Sequence, residues 1–275
     1  MDATSRKCDR LKSLIAADGP MAVAYSGGVD STLLLAVARQ VLGTRVIAIT
    51  AHTPLMPEAE KRFAADTAAG LGANQVIVTP DVMGNAALVA NPPHRCYICK
   101  KMVFADIIDL AAAEGFARLA HGANMDDLSD FRPGMQAAEE LGVAAPLVTA
   151  GLGKKDIRRL SHEMGLPTWD RPAMACLASR IPYGTPITAA ALAMIEQAEE
   201  ALRSIGITHC RVRAHGNVAR IEVASRELHR MVMPGTRERI VVQLREIGFD
   251  YVALDMEGYA TGRMNRVISQ TFGVR

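Results

Sequence analysis

Short apolar runs alternate with helical patterns over the first two-thirds of the chain. The runs 21–25, 45–51, 75–79, 118–122 and 145–148 are mostly apolar, which is the signature of strands buried on both faces. Between them, 29–42, 57–71, 100–114, 135–141 and 154–164 repeat apolar residues at three- and four-residue spacing and predict helices. This alternation predicts an α/β fold, a doubly wound parallel sheet with helices on both faces. In such sheets ligands bind beyond the carboxyl ends of the strands. The loops after Tyr25, Thr50, Thr79 and Gly122 are therefore expected to share one crevice.

The rhythm changes at Pro182-Tyr183-Gly184-Thr185-Pro186, a Pro/Gly-rich linker. Beyond it come a helix over 188–204, two strands across the turn His215-Gly216-Asn217, a helix over 236–247 and a strand over 250–254. That order predicts a second, smaller α+β domain, with a ferredoxin-like arrangement as its expected form. The expected division is thus 1–181 and 187–275.

Length and composition narrow the function classes. A chain of 275 residues with 49% hydrophobic and 22% charged residues has the balance of a globular enzyme with a sizeable core. A net charge of +2 argues against a large nucleic-acid footprint. No apolar run reaches membrane-span length, and the polar start of the chain lacks the apolar core of a secretory signal, so a cytoplasmic location is expected. Five cysteines do not suggest a disulfide framework and leave ligand or catalytic roles open.

The strand at 21–25 runs through Ser26-Gly27-Gly28-Val29-Asp30-Ser31-Thr32 straight into a helix. Two glycines let the backbone turn sharply and approach a ligand, and the helix start aims N–H groups at an anion. The hydroxyls of Ser26, Ser31 and Thr32 add donors there, while the lysine of a Walker-type loop is missing. The run resembles the PP-loop of the ATP pyrophosphatase superfamily. That resemblance implies cleavage of ATP between its α- and β-phosphates.

Cys96-Tyr97-Ile98-Cys99 follows Pro92-Pro93 and stands before the helix expected from Lys100. Cys176 lies in Ala175-Cys176-Leu177-Ala178-Ser179-Arg180. The residues leave three readings open: a zinc site completed by a partner such as His94, a redox dithiol of Cys96 and Cys99, or a [4Fe–4S] cluster on three thiolates. Cys8 and Cys210 sit in ordinary apolar patterns and receive no role.

Four runs together resemble the LarE family over essentially the whole chain: the PP-loop, His94-Arg95-Cys96-Tyr97-Ile98-Cys99-Lys100, Ala175 to Gly184, and Gly258-Tyr259-Ala260-Thr261-Gly262-Arg263-Met264-Asn265. The resemblance implies an ATP-dependent sulfur transferase acting on pyridinium-3,5-biscarboxylic acid mononucleotide, in biosynthesis of the nickel-pincer nucleotide cofactor of lactate racemase. It also implies a homo-oligomer and an external sulfur donor. In one form of the family a single cysteine, matching Cys176, gives up its own sulfur. In the other, three cysteines matching Cys96, Cys99 and Cys176 hold a [4Fe–4S] cluster, and all three are present here. The family's usual Gly-Tyr-Arg reads Gly258-Tyr259-Ala260 in this chain, with Arg263 as the nearest substitute.

Candidate roles follow residue by residue. Ser26, Gly27, Gly28, Ser31 and Thr32 are expected to bind pyrophosphate, and Asp30 to bind Mg²⁺ on ATP. Gly122 would let the nucleotide approach, and Asp126 or Asp127 could bind metal. Lys154, at a helix start that disfavours a cation, and Arg180, four residues after Cys176, are candidate phosphate or carboxylate contacts. Arg211 and Arg213 share one strand face and are candidates for the substrate phosphate. Tyr97 and Trp169 could stack on a ring, though both residue types are commoner in cores. Rival functions are a tRNA thiolase, an ammonia-using adenylating ligase and a non-catalytic nucleotide-binding protein.

Overall fold

The computed structural model describes residues 2–129, 133–172 and 175–260. They form two compact units. One comprises Met1–Val82 and His94–Met174, the other Met83–Pro93 and Ala175–Arg275.

The first unit contains α1 (Ala3–Asp18), β1 (Met21–Ala24), α2 (Val29–Leu42), β2 (Val46–Ala51), α3 (Glu58–Gly70) and β3 (Asn74–Val78). In the second unit lies α4 (Ala86–Val89), after which the first unit resumes with α5 (Arg95–Ala113), β4 (Leu119–His121), α6 (Pro133–Glu140), α7 (Pro146–Thr149) and α8 (Lys154–Glu163). Its sheet is parallel in the order β3-β2-β1-β4. Both faces are covered. Met21, Val23, Val46 and Ala48 pack with α1, α2 and α8, while Ala22, Ile47 and Ile49 pack with Phe104 and Ile107 of α5. The chain moves outward from β1 to β3 and then returns to β4 on the other side of β1. That reversal opens a crevice beyond the ends of β1 and β4.

Two expectations about this unit are corrected. Residues 146–149 form a helical turn instead of a strand, because Pro146 at its first position presets helical φ and has no N–H for a sheet. Only Ala144 bridges to the sheet, at Ala120. Helix α5 starts at Arg95, five residues ahead of the expected Lys100, so the Cys96–Cys99 pair lies inside it.

The second unit adds α9 (Ala189–Ser204), β5 (Cys210–His215), β6 (Val218–Val223), α10 (Leu228–Val232), α11 (Pro234–Ile247) and β7 (Tyr251–Leu254). Leu192, Ile195, Ala198 and Leu202 give α9 one buried stripe, which faces Val212 and the other inward residues of β5. The sheet order is β5-β6-β7, antiparallel and then parallel. A ferredoxin-like sheet places a strand between its two parallel neighbours. Here β6 and β7 pair directly, and the unit has no described strand ahead of α9 to fill such a gap. The ferredoxin-like expectation is therefore corrected.

The boundary also differs from the expected 181/187, since the unit takes in 83–93. Asn91 explains why. It is fully buried with φ 57°, and its amide donates to the carbonyls of Pro182 at 2.8 Å, Thr185 at 3.0 Å and Ile181 at 3.3 Å. Gly184 N–H donates back to Asn91 O at 3.0 Å. Among the described residues no helix is long and apolar enough to cross a membrane.

Two outcomes are expected. Asn91→Asp keeps a side chain that tolerates this backbone but sets a carboxylate among three carbonyls. It should lower the stability of the second unit by about 2 kcal/mol in denaturant titration. In α1, the Ser5 N–H and then the Arg159 guanidinium hold the Asp2 carboxyl down from 3.8 to about 2. Stability from this cap is complete above 3.8 and is lost as pH falls through about 2. The protection of α1 amides against hydrogen exchange, corrected for the intrinsic rate at each pH, should therefore fall as pH is lowered across that interval, and Asp2→Asn should flatten the dependence.

Candidate active site

The β1–α2 turn is built by close approach. Tyr25 is buried and donates its N–H to Ile49 O of β2 at 2.9 Å, just past the end of β1. Gly27 then takes φ 74°, and a Cβ there would lie 2.7 Å from Ala64 Cβ of α3. Gly28 is the N-cap of α2 and brings no capping side chain, so first-turn N–H groups are left to a ligand. Ser31 Oγ donates to Gly28 O at 3.2 Å and accepts from Ser26 N–H at 3.3 Å, with Ser26 Oγ 3.1 Å away. Ser26 and Gly28 face solvent. Thr32 does not. It is fully buried with its hydroxyl 3.4 Å from the Tyr25 hydroxyl, so the expectation that it donates to pyrophosphate is corrected.

The loop after β4 reaches the same turn. A Cβ at Gly122 would lie 2.8 Å from Ser31 N and 3.0 Å from Ser31 Cα, so only glycine lets the two loops meet. Asn124, fully buried, was given no role by the sequence, yet it ties the site together. Its amide donates to Asp127 Oδ2 at 2.9 Å and reaches Asp30 Oδ1 at 3.5 Å, while its carbonyl accepts from Asp126 N–H at 3.0 Å. Asp126 in turn accepts from the N–H of Lys154 at the start of α8. The Lys154 ammonium spans both oxygens of Asp30, at 2.5 and 2.7 Å. Asp30, Gly122, Asp126, Asp127 and Lys154 are thus neighbours, gathered from three loops. Asp30 and Asp126 both accept from Lys154, one from its ammonium and one from its backbone N–H, and carboxylate oxygens are the donor type that suits Mg²⁺.

Cys96 and Cys99 stand three residues apart on the first turn of α5 and share one face, Cys96 exposed and Cys99 half-buried. No side chain caps this helix start at His94, and such an end favours thiolates. Tyr97 is not set up as a stacking ring. Its hydroxyl donates to Glu140 of α6 at 2.7 Å and accepts from Lys101 at 2.9 Å. His121 packs edge-on against Phe104 at 5.6 Å, and burial, then Lys100, pushes its pKa down to about 4, so it is neutral at pH 7. Trp169 meets His162 edge-on at 4.6 Å. Within neither unit do three described His, Cys, Asp or Glu side chains gather as a metal group.

Cys176 belongs to the second unit. It precedes a short 3-10 turn, Leu177–Arg180, and is half-buried. The expected role of Arg180 is corrected: it is 1% exposed, and its fork is taken by Glu199 at 2.9 and 3.1 Å. Its third nitrogen donates to Ala175 O at 2.6 Å and Cys176 O at 3.0 Å. Arg213 likewise turns inward, to Glu222 at 2.5 and 2.8 Å and to Ser179 O at 2.8 Å. A partner nine residues away on the facing strand takes the fork that the sequence assigned to a phosphate. Arg211 is half-buried, donates to Cys210 O at 2.7 Å and holds its guanidinium 5.2 Å from the centre of the Tyr259 ring. Arg263 lies outside the described residues. Cys8 and Cys210 are buried, and burial pushes the Cys210 thiol up to about 12, in keeping with no reactive role.

Comparison with known proteins gives a consistent picture. Residues 9–108 match the family model described as asparagine synthase. The chain is 38% identical over 249 residues to pyridinium-3,5-bisthiocarboxylic acid mononucleotide synthase of Lactiplantibacillus plantarum, covering 90% of both proteins. It is 43% identical over 249 residues to an uncharacterised protein of Synechocystis, covering 90% of this chain and 92% of that protein. Similarity to argininosuccinate synthase of Halobacterium salinarum is 29% over 160 residues, 54% of this chain and 40% of that enzyme.

The close approaches make a direct test. Gly27→Ala meets both a disfavoured φ and Ala64, and should cost about 2 kcal/mol or more in thermal unfolding. Gly122→Ala pushes on the first turn of α2, and should weaken ATP binding by roughly tenfold with a smaller loss of stability.

Proposed function

The chain belongs to the LarE family of PP-loop proteins, and on that premise we propose that it is an ATP-dependent sulfur transferase. It adenylylates the carboxylates of pyridinium-3,5-biscarboxylic acid mononucleotide and converts them to thiocarboxylates. The observation that supports this best is the uncapped start of α2 beside the Asp30–Lys154 pair.

A carboxylate resists sulfur attack because its leaving group would be oxide. Its oxygen attacks the α-phosphorus of ATP, the bond to the β-phosphate breaks, and pyrophosphate leaves. Ser26, the N–H groups of Gly27 and Gly28, and Ser31 bind that pyrophosphate in the turn. Lys154, already at the mouth of the turn, adds an ammonium to neutralise it. Asp30, with Asp126 or Asp127, would supply oxygens for Mg²⁺, which would offset phosphate charge. A sulfur nucleophile beside Cys176 then forms the C–S bond, and AMP departs with the former carboxylate oxygen. Arg211, steadied on Tyr259, holds the substrate's own phosphate.

For the sulfur source we propose a [4Fe–4S] cluster on Cys96, Cys99 and Cys176. Thiolate donors paired on a helix start fit such a group. A cluster on three thiolates supplies an iron open to an extra sulfide. Each thiocarboxylate consumes one sulfur, so repeated turnover requires an external sulfur donor, and by family likeness the chain works as a homo-oligomer.

Incubation with ATP, Mg²⁺, substrate and sulfide under anaerobic conditions should yield AMP and pyrophosphate in equal amounts with thiocarboxylate. ADP and orthophosphate would overturn the reading. Asp30→Asn should lower kcat roughly 10²-fold. Cys96→Ser and Cys99→Ser should abolish sulfur transfer and spare AMP formation. Conversion of Cys176 to dehydroalanine, seen by mass, would instead establish Cys176 as a sacrificial donor.

A further inference from the structure

Two arginine–glutamate pairs in the second unit share one wiring, with Arg180 and both glutamates buried and Arg213 half-buried. Arg180 gives Nε and Nη2 to Glu199, and Arg213 gives Nε and Nη2 to Glu222. In each case Nη1 remains, and in each case it donates to a carbonyl of the Cys176 segment. Arg180 takes Ala175 O and Cys176 O, and Arg213 takes Ser179 O. Cys176 O also accepts from Ser179 N–H at 2.9 Å and Ser179 Oγ at 2.7 Å. The backbone carbonyls of this segment are thus held by two guanidinium groups and by Ser179, while Cys176 keeps partial access to solvent.

Burying two ion pairs is a poor route to stability, since desolvating both partners offsets most of their attraction. The glutamates are nevertheless among the most enclosed polar groups, Glu199 at 1% and Glu222 at 0% exposure. Glu199, on α9, also accepts from Val212 N–H of β5 at 3.2 Å, and Glu222 accepts from Arg220 of its own strand β6 at 3.0 Å, so each carboxylate has a further fixed partner. What each pair achieves is a guanidinium locked in one orientation, aimed at a carbonyl within three residues of the thiol.

We propose that Glu199 and Glu222 are positioning residues that act through Arg180 and Arg213 to hold Cys176 in its sulfur-delivering geometry. The sulfur-delivering role of Cys176 is taken from the reading above. Neither glutamate touches the reacting atoms. On this view Arg213 serves the thiol segment, and the substrate phosphate falls to Arg211.

The test compares full-length wild type with Glu222→Gln, whose amide cannot accept both N–H groups of the fork. In chain purified without added iron, iodoacetamide labelling of Cys176 is measured by mass, with exposed Cys96 of the first unit as internal reference. The Cys176 to Cys96 labelling ratio should rise about threefold or more as the segment opens locally. In anaerobically reconstituted chain, thiocarboxylate formation should fall ~10- to 100-fold. Substrate KM and AMP formation should stay within about twofold of wild type. Should Glu222→Gln fail to fold, Glu222→Asp, which retains the charge but withdraws it from the fork, carries the same readouts with smaller changes.

A labelling ratio equal to wild type overturns the proposal, whether or not transfer falls. A raised ratio with unchanged transfer also overturns it, because the geometry then has no bearing on delivery. Absence of thiocarboxylate from wild type defeats the sulfur-transfer reading itself, while the labelling ratio still decides whether the glutamates hold the thiol segment.

Discussion

Steric contact between the β1–α2 turn and its neighbours governs the first unit. Gly27 lies against Ala64, and Gly122 against Ser31, at separations that a single methyl group would violate. These approaches bring the ends of β1 and β4 together and keep the start of α2 bare. The acidic loop after β4 and the start of α8 then fall beside Asp30. Without them the same hydroxyls and carboxylates would exist in the chain but would not face one another.

The two units handle charge in opposite ways. In the first, Ser26 and Gly28 are exposed and the Asp30–Lys154 pair is half-buried, an arrangement a charged ligand can enter and rearrange at small cost. In the second, Arg180 and Arg213 have their forks taken by enclosed glutamates, and removing either partner would leave a buried charge. Open charge suits nucleotide binding and release. Fixed charge suits holding a backbone segment at one place.

Much of this was legible in the sequence. The apolar runs gave β1, β2 and β4 because strands enclosed by helices cannot hide polar residues, the edge strand β3 followed from Val76, Ile77 and Val78, and Ser-Gly-Gly marked the turn because glycine alone supplies that backbone. The run at 145–148 misled because four apolar residues fit a strand or a helical turn, and Pro146 decided between them. Pro92-Pro93 pointed to a later helix start than the one formed, although a proline before a helix does not prevent it from beginning at Arg95. Arg180 and Arg213 resembled ligand contacts because their partners are distant in sequence: Glu199 lies 19 residues on and Glu222 nine. Asn124 went unassigned for a related reason. Its burial and its three polar partners appear only once the loops have met, although a polar residue directly after a strand end, next to a glycine-led loop, was the available signal.

The central claim is that ATP activates a carboxylate so that sulfur can replace its oxygen. Substrate whose carboxylates carry heavy oxygen tests this most directly, with the released AMP analysed by mass. One labelled oxygen should appear in AMP for each thiocarboxylate made, because the attacking oxygen leaves with the adenylyl group. Unlabelled AMP alongside labelled water or labelled orthophosphate would contradict the account.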